Sequence, residues 1–152
     1  EDGRVFVKRM VRKGAKYDLI VLDAFDHEYI PEHMLTREFL LEIKGILASG
    51  GVLAANTFSS SKLYDFESAT YFNVFGQFYR LKSGNRVILI RQNGLPERAE
   101  LDRNADALEA KLAPLGAGKE SLLPMFGIES GWPRRTRVLT DQYSPSNLLN
   151  GS

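Results

Sequence analysis

The chain has 152 residues, 43% hydrophobic and 26% charged, with a net charge of +1. That length and balance fit a folded globular chain and exclude a disordered one, and the small net charge argues for no nucleic-acid partner. With no cysteine in the chain, disulfides, thiolate catalysis and thiolate zinc sites are excluded.

Two histidines, His27 and His33, match no usual zinc spacing, so no metal is expected. No apolar run approaches the ~18 residues of a membrane span. No signal peptide is visible, which makes the cytoplasm the default location. The first residue is Glu1 rather than methionine, which points to a piece of a longer protein.

In chain order, Val5, Phe6 and Met10 sit at helical spacing between Gly3 and Gly14, predicting a short helix over 4–13. Its basic residues, Arg4, Lys8, Arg9, Arg12 and Lys13, read as a solvated face. Leu19 to Leu22 form a branched apolar run bounded by Asp18 and Asp23, a strand buried on both faces of a parallel sheet. Thr36 is a good N-cap, followed at helical spacing by Phe39, Leu40, Ile43 and Leu47, and Gly50-Gly51 is expected to stop that helix. "GVLAANTF" reads as a second parallel-type strand, and Leu63, Phe66 and Thr70 as another helix. "GQFYRL" and "RVILIR" flank "KSGN" and predict an antiparallel hairpin. Leu101, Ala105, Leu108 and Leu112 mark an amphipathic helix, after which the chain reads as irregular. The expected fold is α/β, with a parallel sheet and a final antiparallel hairpin.

In open parallel sheets, ligands bind outside the carboxyl ends of the strands. Asp23 stands at that end of the first strand and Asn56 at that end of the second, with Asp26 just beyond Asp23. Two nearby carboxylates can hold a cationic amine, bind a metal, or take a proton from a nucleophile; they can equally cap the loop that follows. Asp2-Gly3 can open a helix whose N–H groups meet a ligand edge, or serve as a plain N-cap. "GAGKES" lacks the glycine and the strand of a phosphate loop. His27 and the serines 59–61 lack the Gly-x-Ser-x-Gly elbow of a hydrolase. The aromatics Tyr64, Phe72, Phe75, Phe78 and Tyr79 read as core packing.

Taken together, "EDGRVFV", "KYDLIVLDAFD", "IPEHMLTREFL", "LASGGVLAANTF" and "LTDQYSP" resemble the spermidine synthase-like polyamine aminopropyltransferases. The resemblance covers Asp2 to Gln92 and resumes at Leu139 to Pro145. It implies the carboxyl-terminal half of a Rossmann-like methyltransferase sheet over 1–112, with 113–152 as an irregular extension packed on the same domain. By the same resemblance, Asp2 and Gly3 contact the adenine of decarboxylated S-adenosylmethionine, Asp23 orients and deprotonates the attacking amine, and Asp26 and Asn56 help hold the acceptor. Asp141 and Tyr143 close the acceptor side. The donor is a co-substrate rather than a tightly bound cofactor, and the partner is a small-molecule amine. A methyltransferase using ordinary S-adenosylmethionine, or a non-catalytic binding or oligomerisation module, are the alternatives.

Three departures stand against the family pattern. His27 follows Asp26 where the family continues with proline, and Asn56 replaces a glutamine. The glycine-rich strand–turn–helix and the ribose-gripping acid, upstream in the family, are not in this chain. The resemblance therefore implies a carboxyl-terminal portion, inactive alone. Without a neighbour, the strand Tyr17 to Asp23 becomes an open edge, and a homodimer is expected.

Overall fold

A computed structural model of the chain describes residues 1–24, 31–58, 62–146 and 148. Helix α1, Gly3–Lys13, is opened by Asp2, whose carboxylate accepts from the Arg4 and Val5 backbone N–H groups. It ends at Gly14, whose φ of 65° returns its N–H to the last turn. Strand β1, Tyr17–Leu22, follows. Helix α2, Arg37–Ile46, is capped by Thr36, whose hydroxyl accepts from the Phe39 N–H. Strand β2, Leu47–Thr57, helix α3, Lys62–Phe75, and strands β3, Tyr79–Ser83, and β4, Asn85–Arg91, come next. Helices α4, Arg98–Leu112, and α5, Lys119–Leu122, lead to strand β5, Phe126–Ile128.

The strands form one sheet in the order β1-β2-β4-β3-β5. Strands β1 and β2 are parallel, as α2 between them requires, and the described pairings beyond them are antiparallel. The expected hairpin is β3–β4, turning at Gly84, which takes a φ of 78°.

Several expectations change. Gly50-Gly51 does not stop α2, which ends at Ile46; both glycines lie inside β2. Gly50 has a φ of 70°, and the β1–β2 register slips between the pairs Tyr17–Leu47 and Leu19–Val52. A Cβ on Gly51 would stand 2.9 Å from the Ala48 carbonyl oxygen and 3.0 Å from that of Tyr17, so the pair serves a tight irregularity in the strand. The stretch after Pro114 is also more ordered than its composition suggests. It supplies β5, which is too short and too poor in alternation to stand out in the sequence.

One face of the sheet carries the core. Leu53 and Ala55 of β2 and Ile88 and Ile90 of β4 pack with Phe39, Leu40 and Ile43 of α2, Val7 of α1 and Tyr71 of α3. Ile20 and Leu22 of β1 join that face. Their neighbours Leu19 and Val21 point to the other side and are 61% and 62% exposed. The run expected to be covered on both faces is therefore covered on one. Among the described residues the parallel sheet stops at β1, whose outer edge has no partner strand and whose outward apolar side chains stand exposed.

Candidate functional site

The parallel pairing sets Leu22 beside Ala55, so Asp23 and Asn56 leave the sheet side by side. The Asn56 amide donates to one Asp23 carboxylate oxygen at 3.0 Å. This hydrogen bond ties the carboxylate to the end of the neighbouring strand. Asp23 and Gly3 also line a cavity of about 390 Å³, walled by apolar residues of α1, β1 and α2 such as Phe6, Leu19 and Ile43. A volume of that order suits a small-molecule ligand. Asp26 and His27 lie outside the described residues.

Asp2 is the N-cap of α1 and more. Its Oδ1 accepts from the Arg4 N–H at 2.9 Å and the Val5 N–H at 3.2 Å, while Oδ2 lies 2.8 Å from Nε2 of His33. The His33 contact, then the backbone N–H groups, hold the Asp2 carboxyl below its ordinary value. Gly3 packs against Met34: a Cβ there would stand 3.0 Å from the Met34 Cε, the end of a flexible side chain. Gly3 thus stands at the same cavity wall as Asp23, brought there from a different element, with Asp2 next to it in the chain.

Asp141 sits on Arg4. The guanidinium binds both carboxylate oxygens, at 2.7 and 2.8 Å, a fork-to-fork pair. The Thr36 hydroxyl donates to Asp141 Oδ1 at 2.6 Å, and the Asp141 N–H donates to Glu38 at 3.0 Å. Arg4 also reaches Glu42 at 3.3 Å and the His33 carbonyl at 3.0 Å. The expectation that Arg4 lies on a solvated face is corrected: it is 8% exposed. Charge alone hid this, because a lone arginine in a basic helix looks like its neighbours. Arg4 and then Thr36 hold the Asp141 carboxyl below its usual range, and Asp141 in turn holds the Arg4 guanidinium charged.

Tyr143 closes a short turn. It exchanges backbone bonds of 2.9 Å with Thr140, and the Arg137 guanidinium lies 3.5 Å from its ring centre. Leu139, just before, is fully buried with Leu35 and Leu63, and its N–H donates to the Thr70 hydroxyl at 3.0 Å. The turn that carries Asp141 and Tyr143 is therefore tied to α1, α2 and α3.

A second buried arginine went unread in the sequence. Arg86 of β4 is fully enclosed and shares its charge with Glu67 and Glu129, 3.5 and 3.6 Å away. The available signal was weak: Glu67 falls on the buried side of α3, among Leu63, Thr70 and Tyr71. Among the described residues no cluster of histidines and acids could hold a metal ion, and no helix is long and apolar enough to cross a membrane.

No family model matches the chain. It is 54% identical over 152 residues, 97% of its length, to a polyamine aminopropyltransferase from Vibrio vulnificus, of which it covers 51%. A second protein of that name, from Pyrobaculum arsenaticum, is 34% identical over 70 residues, 43% of this chain and 24% of that protein. The chain thus spans about half the length of the first relative, or less of the second. Two solved structures share the fold with a TM-score of 0.66. Human methyltransferase-like protein 13, in complex with SAH, is 22% identical and matches over 98% of this chain and 64% of its own. A probable spermidine synthase from Corynebacterium glutamicum is 20% identical, over 95% and 54%. The fold is a methyltransferase-like α/β sheet, and the resemblance read from the sequence extends over nearly the whole chain.

The Arg4–Asp141 pair generates a prediction. Asp141→Asn keeps the shape and removes the charge, and should lower stability at pH 7 by about 1–2 kcal/mol, discounted because the Asp141 side chain is 43% exposed. Because the folded carboxyl titrates below its ordinary 3.8, the stabilisation is full above that value and is lost as pH falls through the folded pKa. Urea unfolding of both proteins at pH 7 and at about pH 3 checks it; the gap should narrow in acid.

Proposed function

We propose that the full-length protein containing this chain is a polyamine aminopropyltransferase. It moves an aminopropyl group from decarboxylated S-adenosylmethionine to a small amine. The observation that carries this reading is the Asp23–Asn56 bond at the carboxyl ends of adjacent parallel strands, in a chain 54% identical to a protein of that name. An amine arrives as an ammonium ion and cannot attack until it loses a proton. Asp23 attracts the cation and takes that proton, with Asn56 holding the carboxylate in place. The freed nitrogen lone pair forms a bond to the propyl carbon beside the sulfonium. The carbon–sulfur bond breaks, and its electron pair stays on sulfur as a neutral thioether. Because a sulfonium leaves readily, the chemistry asks for no metal.

Asp2 and Gly3 are assigned to the adenine of the donor, and Asp26 to the acceptor. Asp141 and Tyr143 are assigned to the acceptor side, Asp141 acting through its grip on Arg4. The isolated chain, with about half of the relative's length, is proposed to be inactive alone. Both substrates are small metabolites, which suits a cytoplasmic enzyme.

The test uses the full-length protein with decarboxylated and ordinary S-adenosylmethionine and a set of small amines, with products read by mass spectrometry. Aminopropylated amine is expected, and Asp23→Asn should lower turnover by about 10²-fold or more while donor binding survives. A methylated product from ordinary S-adenosylmethionine would point to a methyltransferase. No product from either donor would favour a binding module.

A homodimer is proposed as well. Leu19 and Val21, exposed beside the free edge of β1, suit pairing with a second copy of this chain, since apolar burial contributes ~25 cal/mol per Å². Sedimentation of the chain at micromolar concentration should find a dimer, and Val21→Lys should shift it to monomer.

A further inference from the structure

Thr57 and Arg86 face each other across the end of the β2–β4 ladder. The Arg86 Nε donates to the Thr57 hydroxyl at 2.8 Å, and that hydroxyl donates to the Arg86 carbonyl at 3.0 Å. One residue before Thr57 is Asn56, which holds Asp23. The rest of the guanidinium is anchored in α3. Nη1 donates to the Ser68 hydroxyl, Nη2 lies 3.4 Å from the Tyr64 carbonyl oxygen, and the Tyr64 ring centre is 3.8 Å from Cζ. A planar guanidinium moves as one body, so whatever turns it in α3 is felt at Thr57.

The two acids beside Arg86 differ. Burial raises Glu129, but the Tyr64 hydroxyl, the Gly131 N–H, Arg86 and Arg80 together outweigh it, and its carboxyl stays below the ordinary range. Glu67 is 1% exposed, and among the described residues no side chain donates a hydrogen bond to it. Burial pushes it up to about 7, against the pull of Arg86 and of the Phe58 backbone amide. Among the described residues the other titratable groups facing the cluster are Tyr64 and Tyr71, both raised first by burial, and Lys82, whose ammonium lies 5.3 Å from the Tyr64 ring centre.

We infer that Arg86 and Glu67 are positioning residues for the Asp23–Asn56 pair, pinning the end of β2 through Thr57 and linking its pose to the proton on Glu67. With Glu67 neutral, Arg86 is balanced by Glu129 and keeps its bond to Thr57. When Glu67 loses its proton, the new charge 3.5 Å from Nη2 draws the guanidinium toward α3. The Nε–Thr57 bond then stretches, and the strand end that presents Asn56 moves with it.

The catalytic consequence rests on the proposed reaction, but the positioning does not, and two readouts separate them. The first follows the Asn56 side-chain amide by NMR in the full-length protein carrying isotope-labelled asparagine. In the wild type its signal should shift with a midpoint near the Glu67 value of about 7. Glu67→Gln, which keeps the shape, should flatten that titration, and Thr57→Val should uncouple it. A flat Asn56 signal in the wild type, or an unchanged midpoint in Glu67→Gln, overturns the inference. The second readout is the pH profile of kcat/KM: Glu67→Gln should remove an inflection near neutrality. Absent turnover with an intact Asn56 titration sinks the reaction and leaves the positioning standing. Turnover whose pH profile is the same in wild type and Glu67→Gln sinks the catalytic consequence of the positioning and leaves the reaction standing.

Discussion

The parallel pairing of β1 with β2 is the constraint on which the site depends. A parallel pair needs a crossover, here supplied by α2, and it points both carboxyl ends the same way. That alone puts Asp23 and Asn56 within a 3.0 Å hydrogen bond, although they are far apart in sequence. The same pairing leaves β1 at the end of the sheet. The catalytic candidate and the exposed apolar edge are two results of one arrangement, because the strand that ends at Asp23 is also the strand at the end of the sheet.

Two buried arginines then hold the sheet to the segments around it. Arg4 gathers Asp141, Glu42 and the His33 carbonyl, joining α1 to α2 and to the late turn. Arg86 gathers Thr57, Ser68, Glu67 and Glu129, joining β4 to α3 and to the stretch after β5. A guanidinium suits this work because its charge persists and its donors point in fixed directions. Breaking one such pair leaves a buried charge without compensation, which costs more than the pair gains when intact. The polar clusters therefore act less as sources of stability than as devices fixing where loops and strand ends lie.

Much of this was legible in the sequence, for identifiable reasons. The run Leu19 to Leu22 marked β1, Thr36 marked the start of α2, and Gly84 marked the hairpin, because each rests on local sterics or capping that neighbours do not override. The positions of Asp23 and Asn56 at the carboxyl ends of their strands were read from the two apolar runs, whereas the pairing that sets them side by side belongs to the structure. Gly50-Gly51 misled because a glycine pair after an apolar helix serves equally as a stop or as an irregular strand entry. Arg4 and Arg86 were invisible because their burial depends on partners distant in the chain, Asp141 and Glu129. Strand β5 was missed because three residues carry too little periodicity.

The central claim is that Asp23 and Asn56 act as one unit on the amine. A double-mutant cycle on the full-length protein tests it most directly, comparing kcat/KM of Asp23→Asn, Asn56→Ala and the pair together. If Asn56 works only by holding the Asp23 carboxylate, its loss matters only while that carboxylate is present. The double variant should then be within a few-fold of Asp23→Asn alone. Effects that simply multiply would mean the two side chains act independently, and would contradict the account.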